Sequence, residues 1–187
     1  VVHYLHTTID LPLVLGGADV EPCGFSDSSL AQGPKRRSIT GYLTKMHPKA
    51  GAIYVSSKAT VGQRLNTFES ELDAATTGFK ELTYLRHLMQ CINSHPQSSQ
   101  PMRLHCDNHS MVNFVRGEGT ATGVRYMDIR LWFCRELYNK QHITIEFMPG
   151  DRIPANLLTK LGYGTDHCQF VYDVLGLYML DGTAEQS

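Results

Sequence analysis

The apolar pattern of this chain changes from strand-like to helix-like at residue 67, and this change constrains the fold. Residues 67–92 place apolar side chains at helical spacing, including Leu72, Phe79 and Leu82, which predicts one long amphipathic helix. We expect Thr67 to act as its N-cap. Before this helix, the chain is rich in short β-type runs that are separated by turn residues.

The β-type runs in the first third of the chain predict an antiparallel meander. Residues 20–27 predict a strand that ends at Asp27, and residues 38–58 predict two strands around the turn sequence HPKAG. Residues 1–16 are expected to contain a helix end and a short strand. The meander and the long helix together account for the first half of the chain.

Strands and helices alternate after the long helix. The segments MRLHCD and HITIEFMPG are predicted strands, whereas NHSMVNFV, VRYMDIRLWFCRELYNKQ and IPANLLTKLG are predicted helices. Pro154 lies early in the last of these, where its missing N–H costs least. The segment DHCQFVYDVLGLYML near the C-terminus is also expected to be helical. This order predicts an α/β fold, in which helices flank a five-stranded mixed sheet with strands 1–3 antiparallel.

Composition restricts the class of protein. The chain has 187 residues, of which 42% are apolar and 19% charged, as expected for one soluble globular domain with a sizeable core. No apolar run is long enough to span a bilayer. No signal peptide and no initiating Met are present, so Val1 is expected to mark an engineered boundary or a cut inside a longer polypeptide.

The cysteines and histidines show no metal-ligand spacing. The five cysteines lie far apart without a CxxC pair, which argues against a disulfide framework and a structural zinc site. We expect reduced, mostly buried thiols in an intracellular protein. The nine histidines are likewise scattered along the chain.

The net charge of −1 conceals an uneven charge distribution. No Asp or Glu occurs from Ser28 to Phe68, and this acid-free segment carries the basic residues Lys35, Arg36, Arg37, Lys45, Lys49, Lys58 and Arg64. A segregated positive face attracts polyanions even when the total charge is near zero. An ordinary solvated surface that contains few acids by chance explains the charge pattern equally well.

Three acidic residues stand near predicted junctions between elements: Asp27, Glu71 and Asp107. Asp107 alone could simply cap the next helix. However, ligand sites in open α/β sheets gather beyond strand ends, so the three acids could meet on one side of the sheet. Clustered carboxylates repel one another and need a divalent cation. Two Mg²⁺ ions about 3.5–4 Å apart can activate water and stabilise the leaving oxygen in phosphodiester cleavage.

Six short segments, in order along the chain, resemble the motifs of a known family. They are GFSDSSLA, RRSITGYL, NTFESELDAA, HCDN, RYMDIRLWFCRE and IPANLLTKLG. The set resembles the ribonuclease H domain of Ty1/copia-type LTR retrotransposon polyproteins, over residues 1 to about 161. The resemblance implies a ribonuclease H-like fold for residues 19–161. It also implies a connection segment from reverse transcriptase at 1–18, and leaves 162–187 as a C-terminal helical extension.

The resemblance also implies a set of catalytic and metal-binding residues. Asp27, Glu71 and Asp107 match the first three acidic positions, with Glu69 as an exposed companion of Glu71. Asn156 stands where the family has its last Asp. These four residues would bind two Mg²⁺ ions, with Mn²⁺ as a substitute. The family also commonly has His where this chain has Tyr126.

Asn156 is the difference from the family's motif that affects the expected activity. An Asn side chain offers one neutral oxygen, so the ion should bind more weakly and its water should be less nucleophilic. One explanation of the Asn is an engineered inactivating change, and a second is natural decay or domestication of a retroelement. A third explanation is a shifted helix, in which Asp151 acts instead.

Substrate-binding residues follow from the same resemblance. A protein that cleaves only RNA must sense 2′-hydroxyls beside the metal site, for which Ser28, Thr67, Asn108 and His109 are candidates. Each of these residues is equally well explained as a cap or turn former. Phosphate contacts would come mainly from Arg36, Arg37, Lys58 and Arg64. Trp132 is expected to belong to the core.

The resemblance therefore implies a metal-dependent endoribonuclease that cleaves the RNA strand of RNA·DNA hybrids during retrotransposon reverse transcription, attenuated or inactivated by Asn156. The alternative is a catalytically inactive module of the same fold that binds nucleic acid or supports a neighbouring polymerase domain. The expected partners are the hybrid and the reverse transcriptase domain of the same polyprotein, and no membrane. The expected location is intracellular, in a cytoplasmic virus-like particle if the element is active.

Overall fold

A computed structural model describes residues 6, 9–13, 20–31, 34–92, 100–118, 128–160 and 174–176. Within these ranges the strands are β1 (Cys23–Ser29), β2 (Ile39–Lys45), β3 (Ala52–Ala59), β4 (Met102–Cys106) and β5 (Ile143–Phe147). The helices are α1 (Thr67–Cys91), α2 (His109–Arg116), α3 (Asp128–Asn139) and α4 (Asn156–Thr159), with a 3-10 turn at Pro34–Arg36.

The strands form one mixed sheet in the order β3-β2-β1-β4-β5. The pairs β1–β2 and β2–β3 are antiparallel, whereas β1–β4 and β4–β5 are parallel. The predicted α/β fold is confirmed, including the antiparallel arrangement of strands 1–3. The turn at HPKAG joins β2 to β3 as expected.

The prediction that the first strand ends at Asp27 is wrong. β1 continues to Ser29, because Asp27 pairs with Gly41 and the two serines after it pair with the next residues of β2. Polar residues can occupy a strand end when the neighbouring strand satisfies their backbone groups. Asp27 therefore lies on the sheet itself, where its position is determined by pairing.

The start of α1 also differs from the prediction. Asn66 is the N-cap, because its side-chain oxygen accepts a 2.8 Å hydrogen bond from the Glu69 N–H. The Glu69 carboxylate in turn accepts the Leu65 N–H at 2.9 Å. Thr67 is consequently an exposed residue of the first turn, and Glu69 is buried at 7% exposure instead of exposed. Asn is at least as effective a cap as Thr, which explains the one-residue shift.

Helices cover both faces of the sheet. On one face, the core between the sheet and helices α1–α3 includes Leu72, Phe79, Leu104, Leu131 and Ile145. On the other face, the segment that leads into α4 packs on β1 and β2, in a cluster of buried residues: Phe25, Leu43, Ile153, Ala155 and Val174. The carboxyl ends of β1 and β4 lie between these two layers.

Trp132 does not belong to the core, contrary to the prediction. Leu131 and Cys134 provide the buried positions of α3, so the intervening Trp132 faces outward and is 59% exposed. The Arg135 guanidinium lies 5.5 Å from the centre of its ring. Because Trp132 stands in a run of apolar residues, the sequence did not show which of these residues face the sheet.

Several sequence predictions lie outside the described residues. They are most of the predicted connection segment at 1–18, the 162–187 extension apart from 174–176, and Tyr126. In the part of the chain that the structure describes, no helix is both long enough and apolar enough to span a membrane.

Gly41 allows α4 to pack directly on β2. A Cβ atom at this position would lie 2.8 Å from the backbone oxygen of Ala155 and 2.8 Å from Cγ2 of Thr159. A backbone oxygen at that distance cannot move aside without displacing the helix. Because Gly41 pairs with Asp27, the close approach brings α4 beside this carboxylate.

We predict that Gly41→Ala destabilises the fold by about 1–3 kcal/mol, the usual cost of overpacking. Denaturant unfolding measures the change. Thr40→Ala, one residue earlier on the same strand, is the control and should cost less, because it adds no atom and removes only an exposed 3.2 Å hydrogen bond to the Lys58 carbonyl. A Gly41→Ala chain as stable as the parent would contradict the described packing of α4.

Candidate metal-binding catalytic site

Parallel pairing of β1 and β4 places Asp27 and Asp107 side by side. Ser26 is the register partner of Cys106, so the next residues on the two strands are the two aspartates. Their proximity is visible in the electrostatics, since the charge of Asp107 raises the pKa of Asp27. Asp27 is 3% exposed, whereas Asp107 is half-buried at the end of β4.

Glu71 reaches the same point from the first turns of α1. Its Oε1 accepts a 2.8 Å hydrogen bond from the Ser28 hydroxyl, which follows Asp27 on β1. Its Oε2 is buried and has no hydrogen-bond partner among the described residues. Burying a carboxylate oxygen without a partner is costly unless a proton or a cation compensates it. The three predicted acids therefore converge at one edge of the sheet.

The pKa values of these acids reflect burial and mutual repulsion. The pKa of Glu71 is raised to about 8, chiefly by burial, with a further increase from the charges of Asp27 and Asp107 and an opposing effect of the Ser28 hydrogen bond. Burial likewise raises the pKa of Asp27 to about 6, although the Thr159 hydroxyl and Lys160 oppose the shift. Burial also raises the pKa of Asp107. The cluster is short of positive charge.

The Cys106 thiol is a further group at this cluster. Glu71, Cys106 and Asp107 each offer one ligand atom, and these atoms lie within 4.8 Å of one another. The thiol is completely buried, and burial raises its pKa. In the sequence this residue is one of five scattered cysteines, although it directly precedes Asp107.

Helix α4 closes the site on the other side. The buried Thr159 hydroxyl donates a hydrogen bond to the Asp27 carboxylate. Two hydroxyls of the sheet hold the end of this helix: Ser29 donates to the Thr159 carbonyl at 3.1 Å, and Ser57 donates to the Leu158 carbonyl at 2.6 Å. Asn156 begins α4, one helical turn before Thr159. The place of the Asn156 side chain in the site stays a prediction.

Sequence reasoning missed Thr159, Lys160 and Gly150. A Cβ atom at Gly150 would lie 2.9 Å from Oδ2 of Asp107, so the turn before α4 packs against this carboxylate. The Lys160 charge lowers the pKa of both aspartates. Thr159 and Lys160 stand in the segment IPANLLTKLG, but nothing in the sequence assigned them to Asp27.

The residues present fit a divalent cation. The carboxylate oxygens of Asp27, Glu71 and Asp107 are the hard ligands that Mg²⁺ and Mn²⁺ prefer. The unpartnered Oε2 of Glu71 and the raised pKa values show a need for positive charge at this point. The arrangement can therefore hold a divalent cation.

The predicted substrate-binding residues divide into two groups. Arg36, Arg37 and Lys58 are exposed, as a phosphate-binding role requires. Arg64 is not free, since its guanidinium donates a hydrogen bond to Asp73 and lies 3.9 Å from Glu69. Carboxylates of α1 therefore neutralise part of the positive charge of the acid-free segment.

The predicted 2′-hydroxyl sensors have structural partners. Asn108 caps α2, because its side-chain oxygen accepts the Met111 N–H at 3.0 Å. The His109 ring stacks on Phe147, with ring centres 3.5 Å apart. Ser28 holds Glu71, and Thr67 is exposed in the first turn of α1. The Asn108 contact is that of a helix cap, which is the alternative role given for these residues in the sequence.

Comparison with known proteins gives the fold and a distant relative. No protein-family model matches the chain. The chain is 28% identical over 162 residues to the retrovirus-related Pol polyprotein from transposon TNT 1-94 of Nicotiana tabacum, which covers 86% of this chain. The chain spans only 12% of that relative's length.

Solved structures with a similar fold are ribonuclease H domains. The N-terminal RNase H domain of rv2228c from Mycobacterium tuberculosis matches with a TM-score of 0.57 at 13% identity, over 75% of this chain and 91% of that chain. The LC11-RNase H1 structure in complex with RNA/DNA hybrid matches with a TM-score of 0.56 at 10% identity, over 74% and 93% of the two chains. The chain has a ribonuclease H-like fold, and its resemblance to a retrotransposon polyprotein is confirmed.

The raised carboxyl pKa values predict a pH-dependent stability in the absence of divalent ions. In the folded chain the Glu71 carboxyl keeps its proton up to about pH 8. In the unfolded chain a Glu carboxyl loses its proton at about pH 4. The free energy of unfolding should therefore fall as the pH rises through this window. Denaturant unfolding in chelator at about pH 5 and about pH 9 measures the fall.

Glu71→Gln should reduce this fall, because an amide has no proton to lose. The exposed Glu118→Gln is the matched control and should leave it unchanged. Added Mg²⁺ should raise the stability of the parent chain at the higher pH more than that of Glu71→Gln. An equal pH dependence in parent and Glu71→Gln would contradict the buried position of this carboxylate.

Proposed function

We propose that this chain, a ribonuclease H-fold domain similar to part of a retrotransposon Pol polyprotein, is a metal-dependent endoribonuclease of Ty1/copia type. It acts on the RNA strand of RNA·DNA hybrids during reverse transcription. The observation that carries the proposal is the convergence of Asp27, Glu71 and Asp107 at the carboxyl ends of two parallel strands.

The metal ligands in this proposal are Asp27, Glu71, Asp107 and Asn156, and the ions are two Mg²⁺ or, as a substitute, Mn²⁺. Bound divalent ions activate water and stabilise the leaving oxygen of a phosphodiester. The chain's own residues orient this set. Ser28 holds Glu71, Thr159 holds Asp27, and Gly150 leaves room for the Asp107 carboxylate.

Asn156 explains why the proposed activity is weak. The side chain stands at the start of α4, which Thr159 attaches to Asp27. An amide lacks the charge of the carboxylate that the family carries at this position. Asp151, the alternative ligand, is exposed in the turn before α4 and follows the Gly150 that packs on Asp107. Both positions can be tested by substitution.

The hybrid would lie across the basic side of the site. Arg36, Arg37 and Lys58 are exposed beside β1 and on the edge strand β3. Further along, a groove between α1 and the end of β3 is lined by Arg64, Lys80 and Arg130, together with several threonines. Asp73 binds the guanidinium groups of both Arg64 and Arg130 and so orients them. Arg36, Arg37 and Lys58 supply the main proposed phosphate contacts, and Arg64 contributes less because Asp73 neutralises it. Ser28, Thr67, Asn108 and His109 remain the proposed contacts near the 2′-hydroxyls.

Cleavage of a labelled hybrid in Mg²⁺ and in Mn²⁺ tests the activity. Removing one well-placed electrostatic group typically costs about 10²–10³ in rate, so the chain should cleave slowly, and Asn156→Asp should restore Mg²⁺-dependent cleavage by a similar factor. Cuts should fall in the RNA strand and leave 3′-hydroxyl and 5′-phosphate ends. Asp107→Asn added to Asn156→Asp should abolish cleavage again.

Asp151→Asn is the matched control for that experiment. If Asp151 completes the site, Asp151→Asn should abolish the residual activity of the parent, and Asn156→Asp should change little. If Asn156→Asp binds hybrid but stays inert, the second candidate function is favoured, a non-catalytic module that binds nucleic acid or supports the neighbouring reverse transcriptase domain. The charge lost at Asn156 is the observation that keeps this candidate open.

Phosphate binding by the basic face is tested with Arg36→Ala/Arg37→Ala. The double substitution should weaken hybrid binding for all sequences and reduce the slope of log K against log salt by up to about 2, because two phosphate contacts are lost. The control is Arg103→Ala/Lys140→Ala, which removes two cations paired with Glu21 and Glu136 near the opposite end of the sheet. Equal salt slopes for the two double variants would contradict the proposed face.

A further inference from the structure

We propose that Glu71, Cys106 and Asp107 form a binding site for a thiophilic divalent cation, such as Zn²⁺ or Cd²⁺, that competes with Mg²⁺ for the same carboxylates. The ligand would be one sulfur and carboxylate oxygens. Its consequence for activity rests on the proposed function, but the binding itself does not.

The geometry of the three side chains carries the inference. One ligand atom from each of Glu71, Cys106 and Asp107 lies within 4.8 Å of the other two. Zinc bonds of about 2.3 Å to sulfur and about 2.0–2.2 Å to oxygen hold tetrahedral ligand atoms roughly 3.4–3.6 Å apart, so binding would draw the three side chains together by up to about 1.4 Å. Cys106 ends β4 and directly precedes Asp107, so both side chains are held by the same parallel pairing to β1.

A second observation points to a ligand at this place. Glu71 is 3% exposed, and within the described part of the chain its Oε2 has no hydrogen-bond partner. Its Oε1 is already held by Ser28 at 2.8 Å, so the carboxylate is oriented. A buried, oriented oxygen of this kind needs a compensating group, and a bound cation supplies one by displacing the carboxyl proton.

The sulfur selects which cation gains from Cys106. Mg²⁺ prefers oxygen ligands and has little affinity for a thiol, whereas Zn²⁺ and Cd²⁺ bind thiolates strongly. On binding, the sulfur–hydrogen bond breaks, the proton passes to solvent, and the sulfur electron pair forms the bond to the metal. The oxidation state of every atom is unchanged. Such an ion would occupy two of the proposed Mg²⁺ ligands and block hybrid cleavage.

Cadmium titration tests the site without nucleic acid, because a cadmium–thiolate bond has an ultraviolet charge-transfer band. The four cysteines of the described residues are free thiols, and Cys91 is exposed. The reference chain therefore carries Cys91→Ser. It should bind Cd²⁺ with the thiolate band, and excess Mg²⁺ or Mn²⁺ should weaken this binding.

Cys106→Ser in the reference chain should remove the band and lower Cd²⁺ affinity by at least about 10–100-fold, the loss that even outer ligand-supporting groups cause. Cys106→Ala should do the same, which guards against misfolding of either variant. Cys134→Ser, at a buried thiol beside Thr76, is the matched control and should retain the band. Glu71→Gln should weaken Cd²⁺ binding while the thiol remains.

Retention of the band in both Cys106 variants, or its absence from the reference chain, would overturn the site. Loss of the band in Cys134→Ser as well as in the Cys106 variants would also overturn it, since the effect would not be local. A chain that binds Cd²⁺ as described but never cleaves hybrid, even as Asn156→Asp, would keep this inference and reject the proposed function.

Discussion

The parallel pairing of β1 and β4 is the interaction on which the site depends. It fixes the register of Ser26 opposite Cys106 and so puts two carboxylates next to each other at the sheet edge. Neither strand can slip by one residue, because a slip would turn the buried apolar side chains of both strands to the wrong face. The repulsion between the aspartates is thus enforced by the hydrophobic core on either side of the sheet.

The cost of this repulsion shapes the groups around it. Ser28 and Thr159 each give a hydroxyl hydrogen bond to one acid, and Lys160 contributes a positive charge. These partners satisfy the site only in part, since no described residue forms a hydrogen bond with one oxygen of Glu71. A site that is oriented by hydrogen bonds and incompletely neutralised is suited to a cation, because the ion meets ligands that already point inward.

Most of the fold was predictable from local patterns. The apolar period identified α1 and the five strands, since amphipathic periodicity is a property of neighbouring residues. Predictions were wrong where two neighbouring residues can take the same role at similar energy. The N-cap of α1 is an example, since it is Asn66 and not Thr67. The exposure of Trp132 was missed for a related reason, because three apolar residues in a row do not reveal which of them faces the sheet.

The sequence by itself determined the α/β class, the order of the elements and the positions of Asp27, Glu71 and Asp107 near their junctions, because these follow from short-range periodicity and ordered motifs. Only the tertiary structure decided that Thr159 binds Asp27, that Asp73 neutralises Arg64, and that the Cys106 sulfur lies beside Glu71. The first and last of these contacts join distant segments of the chain. Their geometry depends on strand register and on the close approach of α4 at Gly41, which no local pattern specifies.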